Sequence, residues 1–266
     1  MKKTDFREKV IIITGASSGI GEALALQLAD KGAWLALAAR NVEKLEAIAQ
    51  QCIQRGGKAI AIPTDVGIES QCQTLIERTI AEYGRIDTLI NNAGFGSAAR
   101  FDEMHDLTVF QKVIQVNFFG SVYCTHYALP HLKATQGQIV GVSSLRGKLP
   151  SPTADGYGAS KHAMAGFFDA LRVELAESEV DVTMIYPGWV STGISGRALK
   201  ADGSPLGRVS AHEKGAMPVE TCARIIIRAI EKHKREVIMT LQGKMGVWFR
   251  HVVPGVVQQI AAKEMK

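Results

Sequence analysis

Residues 14–21 read TGASSGIG and follow directly on the apolar run Val10–Thr14. Ile20, Leu24 and Leu28 lie at i, i+4 and i+8, which marks one face of a helix that begins inside this stretch. Glycine allows a tight turn and a close approach of backbone N–H groups to a phosphate at the positive end of a helix. The stretch therefore indicates a strand, a turn and a helix that together bind the pyrophosphate of a dinucleotide.

Two other interpretations of the same residues are open. Gly15–Gly19 also matches G-x-S-x-G, the nucleophile turn of α/β-hydrolases, with His212 or His233 as the downstream histidine. A turn directly after the first strand leaves no preceding sheet for a hydrolase, which disfavours that interpretation. A purely structural glycine turn is the second alternative. The spacing is TGxxxGxG and not G-x-G-x-x-G, because Leu24 stands at the third glycine position, and no G-K-[ST] of a P-loop is present.

Short runs rich in Val, Ile and Leu alternate with stretches of helical period along the chain. The predicted strands are Val10–Thr14, Trp34–Ala39, Lys58–Pro63, Thr88–Asn91, Gln138–Ser143, Asp181–Tyr186 and Glu236–Met239. Nearly all-apolar runs of this kind suit strands that are covered on both faces. The alternation predicts an α/β fold, namely a Rossmann-type, doubly wound parallel sheet of about seven strands with helices on both faces.

The organisation of the chain indicates one domain. Its 266 residues suit one large domain or two small ones, and no linker or repeat interrupts the alternation, so we expect a single dinucleotide-binding domain over residues 1–266. The polar stretch 191–217 lacks periodicity and begins where the strands end, which predicts a lid or a disordered segment near the ligand.

The C-terminal tail, about residues 244–266, is the second unusual segment. Gly246–Ala262 is rich in Val, with Trp248 and Phe249, and is too apolar to remain in water. We expect it to dock on protein, either at the substrate mouth of the same subunit or on a neighbouring subunit. A membrane surface is the less favoured alternative, because Pro254 interrupts the helical face and the flanking basic charge is modest.

Charge and cysteine content narrow the class of protein. The net charge of +5 is spread along the chain, which predicts no nucleic-acid partner. The seven histidines and Cys52, Cys72, Cys124 and Cys222 are scattered, so we predict no metal site and four buried free thiols in a reducing compartment. The basic start runs directly into a strand, and no run reaches the roughly 18 apolar residues of a membrane span, so we expect a cytoplasmic location.

The end of the second predicted strand carries Ala39-Arg40-Asn41. A protein that selects NAD has an acid here, about twenty residues after the glycine loop, to bind the ribose 2′-hydroxyl. Arg40 instead offers donors to a 2′-phosphate, so NADP(H) is favoured and NAD(H) is the less favoured cofactor. A solvated arginine at a strand end is the alternative.

Three further signals follow in order along the chain. They are Asn91-Asn92-Ala93-Gly94 after the fourth predicted strand, Ser144 after the fifth, and Tyr157-Gly158-Ala159-Ser160-Lys161. Tyr157 and Lys161, at i and i+4, share one helix face. A phenol has a pKa of about 10, so at neutral pH it is a poor base unless a nearby positive charge stabilises the phenolate. Lys161 is placed to supply that charge.

In this order the motifs resemble the short-chain dehydrogenase/reductase family, from Lys9 to Met239. Asp65-Val66, Asn117 and the stretch PGWVST at residues 187–192 extend the resemblance. It implies a cofactor site made of Gly15, Ser17, Ser18, Gly19, Ile20, Gly21, Arg40, Asn41, Asp65, Val66, Asn92, Tyr157, Lys161, Pro187, Gly188 and Thr192. Asp65 and Val66 would lie beside the adenine, Asn92 near the ribose, and Pro187, Gly188 and Thr192 at the nicotinamide. Ser18 stands where many NADP-preferring members have a basic residue, which leaves Arg40 as the main phosphate ligand.

The resemblance also implies the catalytic set Asn117, Ser144, Tyr157 and Lys161. Tyr157 would exchange a proton with the substrate oxygen during hydride transfer, Ser144 would bind that oxygen, and Asn117 would hold a water linked to Lys161. The expected activity is the NADP(H)-dependent interconversion of a ketone or aldehyde and an alcohol, in a homodimer or homotetramer. A non-catalytic NADP sensor and a lyase or epimerase that uses the same Tyr/Lys pair are the alternatives.

The substrate is expected to be lipophilic. Phe95, Leu145, Leu149 and Trp189 follow the motif residues directly, and they suggest an apolar pocket, although ordinary packing explains the same residues equally well.

Overall fold

The computed structural model describes residues 4–207 and 215–263. Within these residues, seven strands pair in parallel in the order β3-β2-β1-β4-β5-β6-β7. They are β1 (Val10–Thr14), β2 (Trp34–Ala39), β3 (Lys58–Pro63), β4 (Thr88–Asn91), β5 (Gln138–Val142), β6 (Asp181–Tyr186) and β7 (Glu236–Ile238). The chain moves outward from β1 first to one edge and then to the other, so the predicted doubly wound α/β topology is confirmed.

Helices cover both faces of this sheet. They are α1 (Gly19–Ala29), α2 (Val42–Gln54), α3 (Glu69–Tyr83), α4 (Thr108–Ile114), α5 (Gly120–Thr135), α6 (Asp155–Glu174), α7 (Val219–Glu231), α8 (Leu241–Val252) and α9 (Pro254–Lys263). One face carries α1, α2 and α7, and the other carries α3, α5 and α6. Pro254 opens α9 and so ends the helical face of the tail, as the sequence indicates.

The core consists of two apolar layers, because alternate residues of a strand point to opposite faces. Ile11 and Ile13 of β1 pack with Leu24 and Leu28 of α1 on one face. Ile12 packs on the other face with apolar side chains that include Phe168 of α6. Each such side chain, when fully buried, contributes about 1.5–3 kcal/mol to stability. The strands are apolar on both faces because helices cover the sheet on both sides, as the sequence predicts.

Two strands end one residue earlier than the sequence predicts. Ser143 still donates its N–H to the Ile185 carbonyl, at 2.8 Å, but Ser144 turns the chain into a short 3₁₀ helix, Leu145–Gly147. At the sheet edge, Met239 bonds to Tyr186 at 3.2 Å and the chain then enters α8 through Thr240, whose hydroxyl caps that helix. In both places the strand ends because a polar residue, Ser144 or Thr240, caps the helix that follows.

The segment predicted as a lid, 191–217, is described at residues 191–207 and 215–217, while 208–214 lie outside the described residues. A 3₁₀ turn, Ser195–Arg197, is followed by Leu199, which exchanges backbone hydrogen bonds with Gly96 and Ala98 at 3.0 and 2.8 Å. The segment thus folds back over the loop that follows β4, at the carboxyl ends of the strands. The four cysteines are free and buried, as predicted.

Candidate active site

A cleft of about 790 Å³ opens at the carboxyl ends of the central strands. Parallel strands end at the same edge, so the residues that follow β1, β2, β4 and β5 meet there. The predicted residues that line this cleft are Gly15, Ser17, Ser18, Gly19, Ile20, Arg40, Asn41, Asp65, Val66, Asn92, Tyr157, Lys161 and Thr192. The predicted residues that are not part of this lining are Gly21, Asn117, Ser144, Pro187 and Gly188.

The glycine loop brings the N-terminus of α1 against the end of β1. Gly15 adopts φ +68°, a left-handed conformation that other residues rarely take. A Cβ at Gly21 would lie 2.3 Å from the Gly15 carbonyl oxygen, so any larger residue would push α1 away. Ser18 precedes α1 but makes no capping hydrogen bond to it. The N–H groups of the first turn are therefore available to an anion.

Thr14 and Asn92 hold this loop in place. The Thr14 hydroxyl accepts the N–H groups of Asn92 and Ala93, each at 3.0 Å. The Asn92 amide donates to the Thr14 carbonyl at 2.9 Å. Asn92, which the resemblance places near the ribose, therefore also joins the end of β4 to the glycine loop.

The adenosine side of the cleft contains Arg40 and Asp65. The Arg40 guanidinium is exposed and lies 3.9 Å from a carboxylate oxygen of Asp65, a weak surface pair. Asp65 itself accepts the N–H of Gly67 at 2.9 Å. Asn41 caps α2 by accepting the N–H of Lys44 at 2.9 Å. The Arg40 side chain is thus held loosely and faces the cleft.

The four predicted catalytic residues are assembled at the other end of the cleft. Lys161 is 3% exposed, and its ammonium donates to the Val142 carbonyl at 2.9 Å. The Lys161 Nζ lies 5.8 Å from the centre of the Tyr157 ring. Ser144 hydrogen-bonds the Tyr157 phenol and accepts the N–H of Arg146 at 3.2 Å. The sequence places Tyr157 and Lys161 on one helix face, and α6 carries both into the cleft.

The electrostatics of this group differ in one respect from the expectation. Burial raises the pKa of Tyr157, and the Ser144 hydrogen bond and the Arg146 charge lower it by less. We expected the charge of Lys161 to lower the pKa of Tyr157, but the Lys161 ammonium is directed to the Val142 carbonyl. Burial also lowers the pKa of Lys161 to about 8, because no carboxylate within the described residues pairs with it.

Asn117 lies in a five-residue π-helical segment, Gln115–Phe119, between α4 and α5. Its amide donates to the Phe95 carbonyl at 3.0 Å and to the Ser160 hydroxyl at 3.1 Å, and its oxygen accepts the Phe95 N–H at 3.0 Å. A Cβ at Gly94 would lie 2.9 Å from that oxygen and 3.5 Å from the Lys161 Nζ. Asn117 therefore ties the loop after β4 to α6, close to Lys161. That Asn117 holds a water linked to Lys161 stays a prediction.

The residues expected at the nicotinamide play different structural roles. Thr192 lines the cleft, and its Cβ lies 3.1 Å from where a Cβ at Gly19 would stand. The Pro187 carbonyl accepts the N–H of Leu145 at 2.9 Å. Gly188 leaves room for the Thr240 methyl, 3.2 Å from its missing Cβ. These contacts hold the end of β6 beside the catalytic loop, the segment Ser144–Leu149 that follows β5.

Three cationic residues of the cleft were missed by the sequence analysis: Lys44, Lys112 and Arg197. Lys44 follows Arg40 by four positions, so the sequence alone could have indicated that the two cations lie close together. Lys112 and Arg197 come from α4 and from the predicted lid, and only the folded chain brings them to the cleft. The cleft is consequently more positive than Arg40 and Lys161 alone indicate.

The hydrolase interpretation of the glycine loop is wrong. The His233 imidazole is bonded to Asp181 at 2.6 Å and to Thr4 at 2.9 Å. Asp181 begins β6, so His233 lies at the amino end of the sheet, opposite the cleft that holds Ser17. The other histidine considered, His212, is outside the described residues.

Comparisons with known proteins agree with this geometry. Residues 9–202 match the family model described as short chain dehydrogenase. The chain belongs to the short-chain dehydrogenase/reductase family. It is 36% identical over 247 residues to 11-beta-hydroxysteroid dehydrogenase-like 4A of Arabidopsis thaliana, covering 92% of this chain and 81% of that protein. It is 38% identical over 257 residues to 11-beta-hydroxysteroid dehydrogenase of Pinus massoniana, covering 94% and 72%.

Solved structures of this family have the same architecture. A short-chain dehydrogenase/reductase of Burkholderia phymatum in complex with NAD superimposes with a TM-score of 0.84 at 25% identity, covering 95% of this chain and 96% of that one. An alcohol dehydrogenase of Thermococcus sibiricus complexed with 5-hydroxy-NADP gives 0.77 at 28% identity, covering 88% and 96%. The chain is therefore an oxidoreductase of this family. None of its described helices has the length and apolar character needed to span a bilayer.

The buried Lys161 gives a pH dependence of stability that can be measured. Its pKa is lowered from 10.5 to about 8, so between these values the folded protein binds fewer protons than the unfolded chain. The free energy of unfolding must then rise with pH across this window. We expect urea unfolding, without added dinucleotide, to show that wild type gains about 2 kcal/mol relative to Lys161→Met between about pH 7.5 and about pH 10. Groups common to both proteins cancel, and a difference that does not change with pH would contradict the assignment.

Proposed function

We propose that this chain is an NADP(H)-dependent oxidoreductase that interconverts a ketone or aldehyde and an alcohol. The observation that carries the proposal is the Tyr157 phenol, hydrogen-bonded to Ser144 and beside the buried Lys161, at one end of a cationic cleft. A proton donor for a carbonyl oxygen and a site for an anionic dinucleotide thus share one cavity. The proposed catalytic set is Asn117, Ser144, Tyr157 and Lys161.

The cleft fits a dinucleotide in shape and charge. At one end, Gly15 and Gly19 adopt positive φ values, and the first turn of α1 presents N–H groups that its cap residue does not use. Arg40 and Lys44 line the adenosine side, where a 2′-phosphate would pair with a guanidinium. The solved relatives bind NAD or 5-hydroxy-NADP, which supports a nicotinamide cofactor, and Arg40 favours NADP(H).

The residues of the chain would act on a single oxygen atom of the substrate. In the reducing direction, a nicotinamide cofactor bound in the cleft would be the source of the hydride that reaches the carbonyl carbon. Tyr157 would give its phenolic proton to the carbonyl oxygen, so the C=O double bond becomes a C–O single bond while one C–H bond and one O–H bond form, and the phenol becomes a phenolate. Ser144 donates to the same oxygen and holds it within reach of the phenol. The Lys161 ammonium stabilises the phenolate that remains, which later recovers a proton from solvent.

The substrate is proposed to be lipophilic. Phe95 lines the cleft, and Leu145 and Leu149 follow Ser144 on the catalytic loop. Trp189, beyond the end of β6, lies under the Arg146 guanidinium at 5.1 Å. Several relatives are named 11-beta-hydroxysteroid dehydrogenases, which supports a bulky, apolar carbonyl compound or secondary alcohol.

Two alternatives use the same fold. A non-catalytic NADP sensor does not require the phenol, ammonium and hydroxyl that this cleft assembles. A lyase or epimerase could use the Tyr157–Lys161 pair without net oxidation. A screen of carbonyl compounds that follows NADPH absorbance separates the reductase from both alternatives, because only a reductase consumes NADPH in proportion to product; product analysis of the same reactions then separates a lyase or epimerase from a sensor.

Replacement of the phenol tests the proposed chemistry directly. Tyr157→Phe removes the proton donor but not the ring, so kcat/KM should fall by about 10²–10⁴-fold while the Kd for NADPH stays within about twofold. Tyr83→Phe is the matched control, because its hydroxyl bonds the Leu35 carbonyl near the amino end of β2, at the opposite end of the sheet from the cleft. Near-wild-type turnover in Tyr157→Phe would remove Tyr157 from the mechanism.

Arg40 is the proposed determinant of cofactor choice. Arg40→Asp places a carboxylate where the 2′-phosphate would bind and offers an acceptor to a ribose hydroxyl, so the preference should shift from NADPH to NADH by about 100-fold or more. The ratio of the two Kd values measures this. Arg224→Asp makes the same charge change on the exposed side of α7 and should leave the ratio unaltered. An unchanged ratio in Arg40→Asp would move the phosphate site elsewhere.

The C-terminal tail is proposed to cover the substrate mouth of its own subunit. Gly243 and Gly246 of α8 face the catalytic loop, since a Cβ on Gly243 would lie 2.6 Å from Leu145 and one on Gly246 would lie 3.1 Å from Leu149. Arg250 donates to the Lys148 carbonyl. Helix α9 closes a second cavity of about 490 Å³ against the same loop.

The outer side of the tail remains apolar and exposed. Leu241, Met245, Trp248, Val252, Val256 and Ile260 all have at least half of their surface accessible. We propose that this side contacts a second subunit of a homodimer or homotetramer in the cytoplasm, and not a membrane.

Deletion of residues 244–266 tests the role of the tail. We expect the truncated protein to bind NADPH but to lose subunit association or turnover, because the mouth beside Leu145 and Leu149 becomes open. Subunit mass in solution, activity and co-sedimentation of the intact protein with anionic liposomes are the measurements. Strong liposome binding by the intact chain, with unchanged mass and activity after truncation, would favour the membrane instead.

A further inference from the structure

Arg197 reaches from the predicted lid to the glycine loop. Its guanidinium donates to the Ser18 hydroxyl at 2.6 Å and to the Thr192 carbonyl at 3.3 Å. Ser18 is the residue immediately before α1, and Thr192 packs on Gly19, the first residue of that helix. The guanidinium therefore lies at the N-terminus of α1, on the side of the lid.

The surroundings of Arg197 do not neutralise its charge. Both oxygens that it contacts are uncharged, and within residues 4–207 and 215–263 no carboxylate lies within ion-pair distance of it. A guanidinium has five N–H donors, and these two contacts leave others for a further acceptor. Arg197 also lines the cleft. A cation with spare donors and no counter-charge, placed at the positive end of a helix, is suited to bind an anion.

The Ser18 contact explains two features of the glycine loop together. Ser18 has the residue type and extended backbone of a helix cap, but its side chain makes no capping bond. Its hydroxyl is engaged with Arg197, and the N–H groups of the first turn of α1 keep their donors for a ligand.

We propose that Arg197 is a ligand of the dinucleotide pyrophosphate and holds the lid across it. This inference rests on the proposed function, since it assigns a further residue to the proposed cofactor site. Arg40 lies at the adenosine end of the cleft and serves the 2′-phosphate, whereas Arg197 lies at the helix N-terminus, where the pyrophosphate is stabilised. The two arginines therefore divide the phosphates between them, and loss of Arg197 weakens NADP and NAD equally.

Four ligands separate this role from its alternatives. Arg197→Gln keeps the length and polarity of the side chain but removes its charge. We expect the Kd values for NADPH, NADH and ADP to rise by about tenfold, the scale of one charge-assisted hydrogen bond, and that for adenosine 2′-monophosphate, which lacks a pyrophosphate, to stay within about twofold. Arg197→Lys keeps the charge and should recover part of the loss. Lys200→Gln removes a lid cation that is paired with Asp202, and it should leave all four values within about twofold.

Each other pattern overturns the proposal. A loss confined to NADPH and adenosine 2′-monophosphate would assign Arg197 to the 2′-phosphate. A loss for NADPH and NADH but not for ADP would make Arg197 a lid contact only, because ADP does not need the lid to close over a nicotinamide. Unchanged values for every ligand would remove Arg197 from the site. Failure of the wild-type protein to bind NADPH or NADH would instead contradict the proposed function, so the two failures are distinguishable.

Discussion

The Gly15 carbonyl oxygen lies 2.3 Å from the position that a Cβ on residue 21 would occupy. This close approach, which only glycine at position 21 permits, sets the depth at which α1 sits against β1. Thr14 and Asn92 hold the same loop from the side of β4. As a result, the end of β4 and the helix N-terminus form one rigid wall. The other groups of the cleft take their positions from this wall, including Thr192, which packs on Gly19, and Arg197, which bonds Ser18.

A second constraint is the burial of the Lys161 ammonium at the opposite wall. A charge in a protein interior is costly unless polar groups surround it. The Val142 carbonyl, at the end of β5, accepts a hydrogen bond from this ammonium, and a Cβ at Gly94 would lie 2.9 Å from the Asn117 oxygen and 3.5 Å from the Lys161 Nζ. The π-helical turn at Gln115–Phe119 makes this arrangement possible, because Asn117 there turns toward the Phe95 backbone. Among the described residues no carboxylate pairs with this lysine, so a backbone carbonyl and not a counter-charge holds the ammonium in place.

The sequence predicted the features that depend on local pattern. The apolar strands β1 and β2, the glycine turn and the placement of Tyr157 and Lys161 on one helix follow from spacing along one chain segment, and the structure has these features. Features that depend on chain closure were missed. Arg197 and Lys112 reach the cleft from a loop and a short helix whose sequences have no periodicity, and the bonds of Asn92 to the glycine loop join residues 78 positions apart. The raised pKa of Tyr157 was also missed, since burial is a property of the assembled cleft.

The balance of charges at Tyr157 bears on the direction of catalysis. Burial favours the neutral phenol, and the opposing effects of Ser144 and Arg146 are smaller, so the group is held in its proton-donating form near neutral pH. A phenol that must give a proton to a carbonyl oxygen is ready in this form, whereas removal of a proton from an alcohol requires the phenolate. Under the proposed function, this protonation state of Tyr157 suits proton donation to a carbonyl near neutral pH, and proton removal from an alcohol would gain as the pH rises. Lys161 opposes that gain, because its pKa of about 8 means that the charge that stabilises the phenolate is itself lost over the same rise in pH.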